Sequence, residues 1–287
     1  MYSEMRRLVI LLVAALVPVF ASAQAQVNTK KVKIGDFAEK VTKVVLTGNM
    51  FYDSTLEDEI IARWKASPYE FCSLSEFEDL KCSDEFYFLL STKGQFKKET
   101  EPGLQFLTLV KGGTKAEGGI GEMLEVVSLP IASANDPSGR ETVFFPAFLD
   151  IIQTYALESM DRDISAYTGL SNYSLNIKDT KGMNLVFSED DLSTEITDEV
   201  REQHFDEYMS SVSEEEADAL MTDTAENTVV SYTAVPTEAK IGSYCYKMLI
   251  DNHSHKVYYF KKHRITKKTG AGFLAEDVAR ISSYRNQ

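Results

Sequence analysis

Val44-Val45-Leu46-Thr47 opens the stretch that decides the fold, residues 43–91. These four residues read as a buried strand. Residues 54–66 follow as a helix, with Leu56, Ile60, Ile61 and Trp64 on one face at roughly 3.6-residue spacing. Tyr69-Glu70-Phe71-Cys72 reads as a second short strand, 74–81 as a second helix and 86–90 as a third strand. The stretch is therefore a βαβαβ unit.

A weaker copy of it runs from 184 to 235. Leu56, Asp58, Glu59, Ile60 and Trp64 match Ile196, Asp198, Glu199, Val200 and His204 at a constant offset of 140 residues. Ser73-Leu74-Ser75-Glu76 matches Ser211-Val212-Ser213-Glu214 at an offset of 138, with Ser three residues before Glu in both. In such a capping box the hydroxyl and the carboxylate satisfy amides of the first helical turn that have no intrahelical partner. The order and spacing of the matches point to an internal duplication.

The remaining elements complete each copy. Residues 104–111 and 123–131 have strand character, and 144–160 reads as a helix with Phe148, Ile151, Ile152 and Tyr155 on its apolar side. Pro146 is tolerated near its start, where amides lack partners anyway. In the second copy, 184–187 is a strand, 194–208 a helix, 213–222 a short acidic helix and 228–235 a strand. Residues 244–251 and 256–265 form a hairpin, and 273–283 close the chain as a helix. Each half thus reads β-α-β-α-β-β-β-α, an α/β fold of two tandem duplicated domains with mixed sheets. The expected boundaries are 24–42 for an N-terminal segment, 43–160 for the first domain, 161–182 for a polar linker and 183–287 for the second domain.

Residues 1–23 read as a signal peptide. Arg6 and Arg7 precede an apolar run at 8–20, and Ala21-Ser22-Ala23 supplies small residues for cleavage. A run of that length is too short to span a bilayer as a helix. Nothing after it looks transmembrane, so a periplasmic or secreted protein is expected. The chain carries a formal net charge of −14, which disfavours nucleic acid and anionic lipid as partners. Residues 189–226 hold fifteen carboxylates against one base, Arg201. The spacing of a calcium loop is missing there, and a solvated acidic face is expected.

Candidate sites are few. The three cysteines leave at least one unpaired. A helix between Cys72 and Cys82 holds them beyond disulfide reach, and Cys245 could meet either only by tertiary packing. Buried thiols acting as small hydrophobes are the default. His253 and His255 lie two apart at the hairpin tip, where residues of a strand share a side and could share a zinc or copper ion. A polar turn is the plainer reading. Tyr244 and Tyr246 face one side of the hairpin, whereas Tyr258 and Tyr259 face opposite sides; they are sheet structure unless exposed, when they would mark a partner surface. The Gly-rich run 112–121 reads as a mobile hairpin loop, and Lys267-Lys268-Thr269-Gly270-Ala271-Gly272 as a flexible start to the last helix; neither has Walker spacing. No catalytic residue and no cofactor are expected.

Ser67-Pro68-Tyr69-Glu70-Phe71, together with Lys262-His263-Arg264-Ile265 and Gly270-Ala271-Gly272-Phe273-Leu274-Ala275-Glu276-Asp277, resembles a family of uncharacterised exported proteins from Gram-negative bacteria. That resemblance covers most of the chain beyond the leader and implies no activity or site. The element order is also similar, in layout only, to the N-terminal domain of TolB and the periplasmic domain of the curli secretion protein CsgG. It implies a non-catalytic envelope module acting through contacts with other envelope proteins. The functional expectation is an exported binding or scaffolding protein. The alternatives are a small-ligand binder using the cleft between the halves, which a deep pocket there would favour, and an envelope hydrolase. The hydrolase needs His204, His253, His255 or His263 beside a carboxylate or nucleophile.

Overall fold

In the computed structural model, which describes residues 34–96, 99–160, 169–223 and 226–286, the chain forms two five-stranded mixed sheets of one pattern. The first holds β1 (Val41–Val45), β2 (Tyr69–Cys72), β3 (Phe86–Gly94), β4 (Leu104–Lys111) and β5 (Leu124–Ser133), in the order β2-β1-β3-β4-β5. The second holds β6 (Asn184–Ser188), β7 (Met209–Val212), β8 (Thr228–Ala234), β9 (Tyr244–Asp251) and β10 (Val257–Arg264), in the order β7-β6-β8-β9-β10. In each sheet the first three strands are parallel and the last two antiparallel. Helices α1 (Met50–Arg63), α2 (Leu74–Leu80) and α3 (Arg140–Ser159) belong to the first half. Helices α4 (Asp198–His204), α5 (Glu214–Thr222) and α6 (Ala275–Arg285) occupy the same places in the second. The chain is an α/β protein of two tandem units.

The repeat is more regular than its sequence suggests. Ser73 and Glu76 form the first capping box, and the second is Ser213 with Glu216, not Ser211 with Glu214. The offset is therefore 140, the same as for the preceding helices. The run Glu214-Glu215-Glu216 makes the Ser-x-x-Glu spacing ambiguous, and only the cap geometry decides it. Strand entry is reproduced as well. The amide of Thr42 bonds the Pro68 carbonyl at 2.8 Å, and that of Leu185 bonds the Tyr208 carbonyl at 2.7 Å.

Alternating strand residues divide each half into two apolar layers. In the first half, Val44, Tyr87, Leu89, Leu107 and Leu109 pack with Leu56 and Ile60 of α1 and the apolar face of α3. Val45, Phe88, Leu90 and Val110 face the other way, onto Phe77 of α2 and onto Ala116 and Met123. Ala116 belongs to the Gly-rich run expected to be a mobile loop. It forms two 3-10 turns, Thr114–Gly118 and Ile120–Glu122, that cover the sheet. A side chain at Gly112 would sit 2.1 Å from the Ser83 carbonyl oxygen, so that strand end requires glycine.

Helix α3 joins the halves. It begins at Arg140 rather than near 144, and residues on more than one side of it are buried, including Phe144, Phe145, Phe148, Ile151, Ile152 and Tyr155. Phe145 meets Tyr52 of α1 edge-on at 5.7 Å, whereas Phe144 and Phe148 meet Tyr232 of β8 at 4.5 and 5.2 Å. A helix apolar on several sides must be covered on several sides. Here the covers are the two sheets. One core runs through both, taking in Val230, Tyr232, Met248, Ile250 and Phe260 of the second sheet, with Ala217 and Met221 of α5. The outer layer of the second sheet packs Leu185, Phe187, Val229 and Leu249 against Val278 and Ile281 of α6.

Two expected boundaries shift. Ile34 and Phe37, placed in an N-terminal segment, are fully buried in the first core. Residues 170–180, inside the expected linker, form 3-10 turns that seal the edge of β10: the Phe260 amide donates to Ser174 Oγ at 2.9 Å, and Asn176 Nδ2 donates to the Val257 carbonyl. The expected signal peptide, 1–23, lies outside the described residues. No described helix is long and apolar enough to cross a membrane.

Candidate functional site

The carboxyl ends of β6 and β8 diverge where the chain reverses its winding direction, the place where open α/β sheets usually bind ligands. Parallel pairing stops at Val186 and Val230. Beyond it the Ser188 amide bonds Ser231 Oγ at 2.9 Å instead of a strand carbonyl. Ser231 Oγ in turn donates to Asp191 Oδ2 at 2.6 Å, and Thr233 Oγ1 donates to Asp191 Oδ1 at 2.6 Å. Asp191 follows β6 in a 3-10 turn, Glu189–Asp191, and is buried. The Phe273 amide donates to its backbone carbonyl at 2.7 Å. Gly272 lies so close that a Cβ would be 2.6 Å from that oxygen, and its φ of +87° excludes most other residues. The glycines expected to be flexible include one that packing fixes.

Arg140, the first residue of α3, enters this crevice from the other half. Its Nη1 donates to Asp191 Oδ1 at 2.9 Å, Nε to Asp218 Oδ1 at 2.7 Å and Nη2 to the Ser231 carbonyl at 3.1 Å. The guanidinium also lies over the Phe144 and Tyr232 rings, at 5.1 and 5.2 Å. Burial by itself would lower its pKa, but Asp191 and Asp218 outweigh that and raise it. Burial raises Asp218 despite Arg140, and burial with neighbouring Asp218, Asp190 and Asp191 raises Glu214. Asp191 therefore receives three donors and Ser231 is engaged both ways, so neither is poised as base or nucleophile.

Beside this cluster an open cleft of about 190 Å³ is lined by Ser138, Arg140, Asp190, Glu214 and Thr233. It adjoins one of about 350 Å³ lined by Glu99, Asn135, Lys240 and Ile241; Ser133, Asp136 and Thr237 border both. Below the clefts the junction is filled by side chains.

A second buried cluster lies in the outer layer. Lys247 is fully buried and paired with Asp277, which also accepts from Tyr259 Oη at 2.7 Å, Lys261 Nζ at 2.7 Å and the Leu274 amide at 3.0 Å. Burial alone would raise the Asp277 carboxyl; Lys247, Lys261 and the Leu274 amide outweigh it and hold it down at about 2. Burial lowers the Lys247 ammonium even with Asp277 beside it.

The tyrosines singled out in the sequence do not form an exposed patch. Tyr246, Tyr258 and Tyr259 are buried and Tyr244 is half-buried. Tyr244 packs at a tilt on Phe96 at 4.5 Å and Tyr246 meets Phe106 edge-on at 5.9 Å, so both reach the first half, while Lys262 lies over both rings from their own sheet. Tyr258 and Tyr259, expected on opposite sides, join one apolar cluster because the ladder is irregular between Val257 and Tyr259.

His253 is exposed at the turn. His255, with a left-handed φ of +55°, places Nδ1 2.6 Å from Asp150 Oδ2 of α3, another link between the halves. Burial would raise Asp150, but His255, Arg63 and Gln153 hold it below its ordinary value. His263 Nε2 meets the Gly270 carbonyl at 2.8 Å. No group of three or more His, Cys, Asp and Glu among the described residues is placed to hold a metal. All three thiols are free, and burial pushes Cys72 and Cys245 up to about 11, away from thiolate reactivity.

Arg140, Asp191 and Asp218 carried no local signal. Two of them sit in the acidic stretch read as a solvated face, and the third precedes the periodic part of its helix. No protein-family model, no curated protein and no solved structure matches the chain.

Proposed function

We propose that the protein is a rigid two-lobed binding or scaffolding component of the cell envelope that works through protein contacts and not through catalysis. The observation that carries this reading is the closed junction. Its apolar side is packed with the Phe144, Phe148 and Tyr232 rings, and its buried charges are spent on holding the halves together. Groups so committed serve shape, and shape serves recognition. The edge strand β2 is a suitable contact region. Among the described residues it pairs only with β1, and it carries Tyr69 and Phe71 side by side at 5.7 Å, with Leu74 exposed just beyond. Extended segments of partners add to such edges.

A photocrosslinking residue at Glu70 or Leu74 in the producing cells should give a defined protein adduct, absent when the same residue replaces Glu215 on α5. Abundant folded protein without adducts at the first two positions would refute the reading. The two polar clefts beside Arg140 favour, as a second reading, a small polar ligand at the junction. A metabolite that raised the unfolding temperature of the protein but not of a Thr237→Arg variant would support it.

A further inference from the structure

Helix α1 turns Leu56 and Ile60 into the core and leaves Met50, Phe51, Ser54, Asp58, Ile61 and Ala62 exposed. Every surface helix has an outer stripe with this spacing; the residues on this one are what matter. Phe51 is 88% exposed and Met50 81%, the two most exposed large apolar side chains among the described residues, and Ile61 is 65% exposed. Read along the axis the stripe runs apolar pair, serine, aspartate, apolar pair. Read backwards it is the same, except that the serine and the aspartate, a donor and an acceptor, change places.

A surface with that property complements itself. Two copies of α1 laid antiparallel about a two-fold axis at residue 56 bring Phe51 against Ile61, Met50 against Ala62 and Ser54 against Asp58, each pair occurring twice. The apolar ends lie about 15 Å apart along the helix, three turns, so they leave room for the polar pairs between them. In that arrangement each Ser54 hydroxyl would donate to the Asp58 carboxylate of the other copy. This is the reciprocal pattern of an isologous interface. We infer that α1 is the contact helix of a two-fold homodimer, with a second copy of this chain as its occupant.

The electrostatics set how tight that dimer is. Glu57, Asp58 and Glu59 lie near the axis on both copies, and among the described residues only Glu59 of the three has a salt-bridge partner, Arg63 at 2.7 Å. The helices repel each other, and salt screens that repulsion. A single helix stripe offers less contact than the ~800 Å² per partner of a standard interface, so the dimer is expected to be weak.

The test is sedimentation equilibrium of the purified protein in reducing buffer, from micromolar to submillimolar concentration. A monomer–dimer equilibrium that tightens several-fold at high salt is expected. Phe51→Asp should weaken it at least ~10-fold, and Ile61→Lys should do the same. Both positions are exposed, and circular dichroism checks that each variant folds. The F51D/I61K double variant should dimerise more tightly than either single variant, because the introduced carboxylate and ammonium then meet across the axis. A monomer throughout, a dimer indifferent to F51D, or a double variant no better than the singles would each overturn the proposal.

Discussion

Replacing Arg140 by methionine tests whether the halves are one cooperative unit. The side chain keeps most of its volume over Phe144 and Tyr232, but Asp191 loses its counter-charge while still buried. Removing one partner of a buried pair costs about 3–5 kcal/mol, most of it the penalty of the stranded charge. The remaining Ser231 and Thr233 hydroxyls keep Asp191 hydrogen-bonded, which argues for the lower end. For a chain of this size that cost corresponds to a fall of roughly 6–20 °C in unfolding temperature.

Trp64, the only tryptophan, makes the assay decisive. It is buried in the first half, with Nε1 donating to Ser67 Oγ at 3.1 Å, whereas Asp191 lies in the second. Urea unfolding followed by tryptophan fluorescence and by far-ultraviolet circular dichroism should give coincident transitions, both displaced by Arg140→Met. Adding Asp191→Asn should recover part of the loss, since the amide still accepts from one hydroxyl and carries no charge. An unchanged fluorescence transition beside a shifted circular-dichroism transition would mean independent halves, and the continuous-core argument would fail.

Three further outcomes follow from single contacts. Tyr232→Phe removes the hydroxyl that donates to the Ile131 carbonyl at 2.5 Å across the junction, and should cost about 1–2 kcal/mol by urea titration. Ser213→Ala should cost about 1 kcal/mol by removing the second cap, matching Ser73→Ala in the first. Asp277, held at about 2 against its ordinary 3.8, contributes about 2 kcal/mol that is present above pH ~4 and lost as pH falls through about 4 to 2. Asp277→Asn should remove that acid limb and expose the buried Lys247. Lowered further in the folded state, this lysine binds its proton more readily when unfolded, so the variant's urea midpoint should rise as pH climbs toward the ordinary lysine value of 10.5.

The order of elements was legible because strands and helices here carry strong periodic signals, and β4 and β9 fall on the expected residues. Ends were less legible where the cap is not apolar. Helix α1 begins at Met50, four residues early, because Asn49 Oδ1 accepts from the Phe51 and Tyr52 amides, and the first turn is exposed and outside the apolar stripe. The burial of α3 on a second side could not be read from one copy's pattern. Its extra apolar residues, Phe144 and Phe145, look like one-sided packing until a second sheet is placed against them. The Arg140 cluster was invisible for the same reason. Its members are 27 to 78 residues apart, and nothing in the local sequence of Asp191 separates it from its solvated neighbours.

The two described units stack through unlike surfaces. The helix layer of the first half packs on the sheet face of the second that also carries α5, so the contact joins unlike surfaces, head to tail. Unlike surfaces that meet this way can add copies indefinitely unless the ends are blocked. Both ends are blocked here. On the first sheet the long β4–β5 connection folds back as 3-10 turns and, with Phe77, covers the face that would receive another helix layer. In the second half the equivalent hairpin connection is only the short turn between β9 and β10, which leaves that face open for α3. At the far end α6 occupies the place of α3 but turns Glu276, Arg280, Ser283 and Tyr284 outward, where α3 turns Phe144 and Phe148 toward the other half. The charge on α6 is therefore the counterpart of the aromatic rings on α3: one ends the series and the other continues it. Glycine-rich turns over one outer face and a polar helix over the other thus leave neither outer surface matching the two faces that meet at the junction.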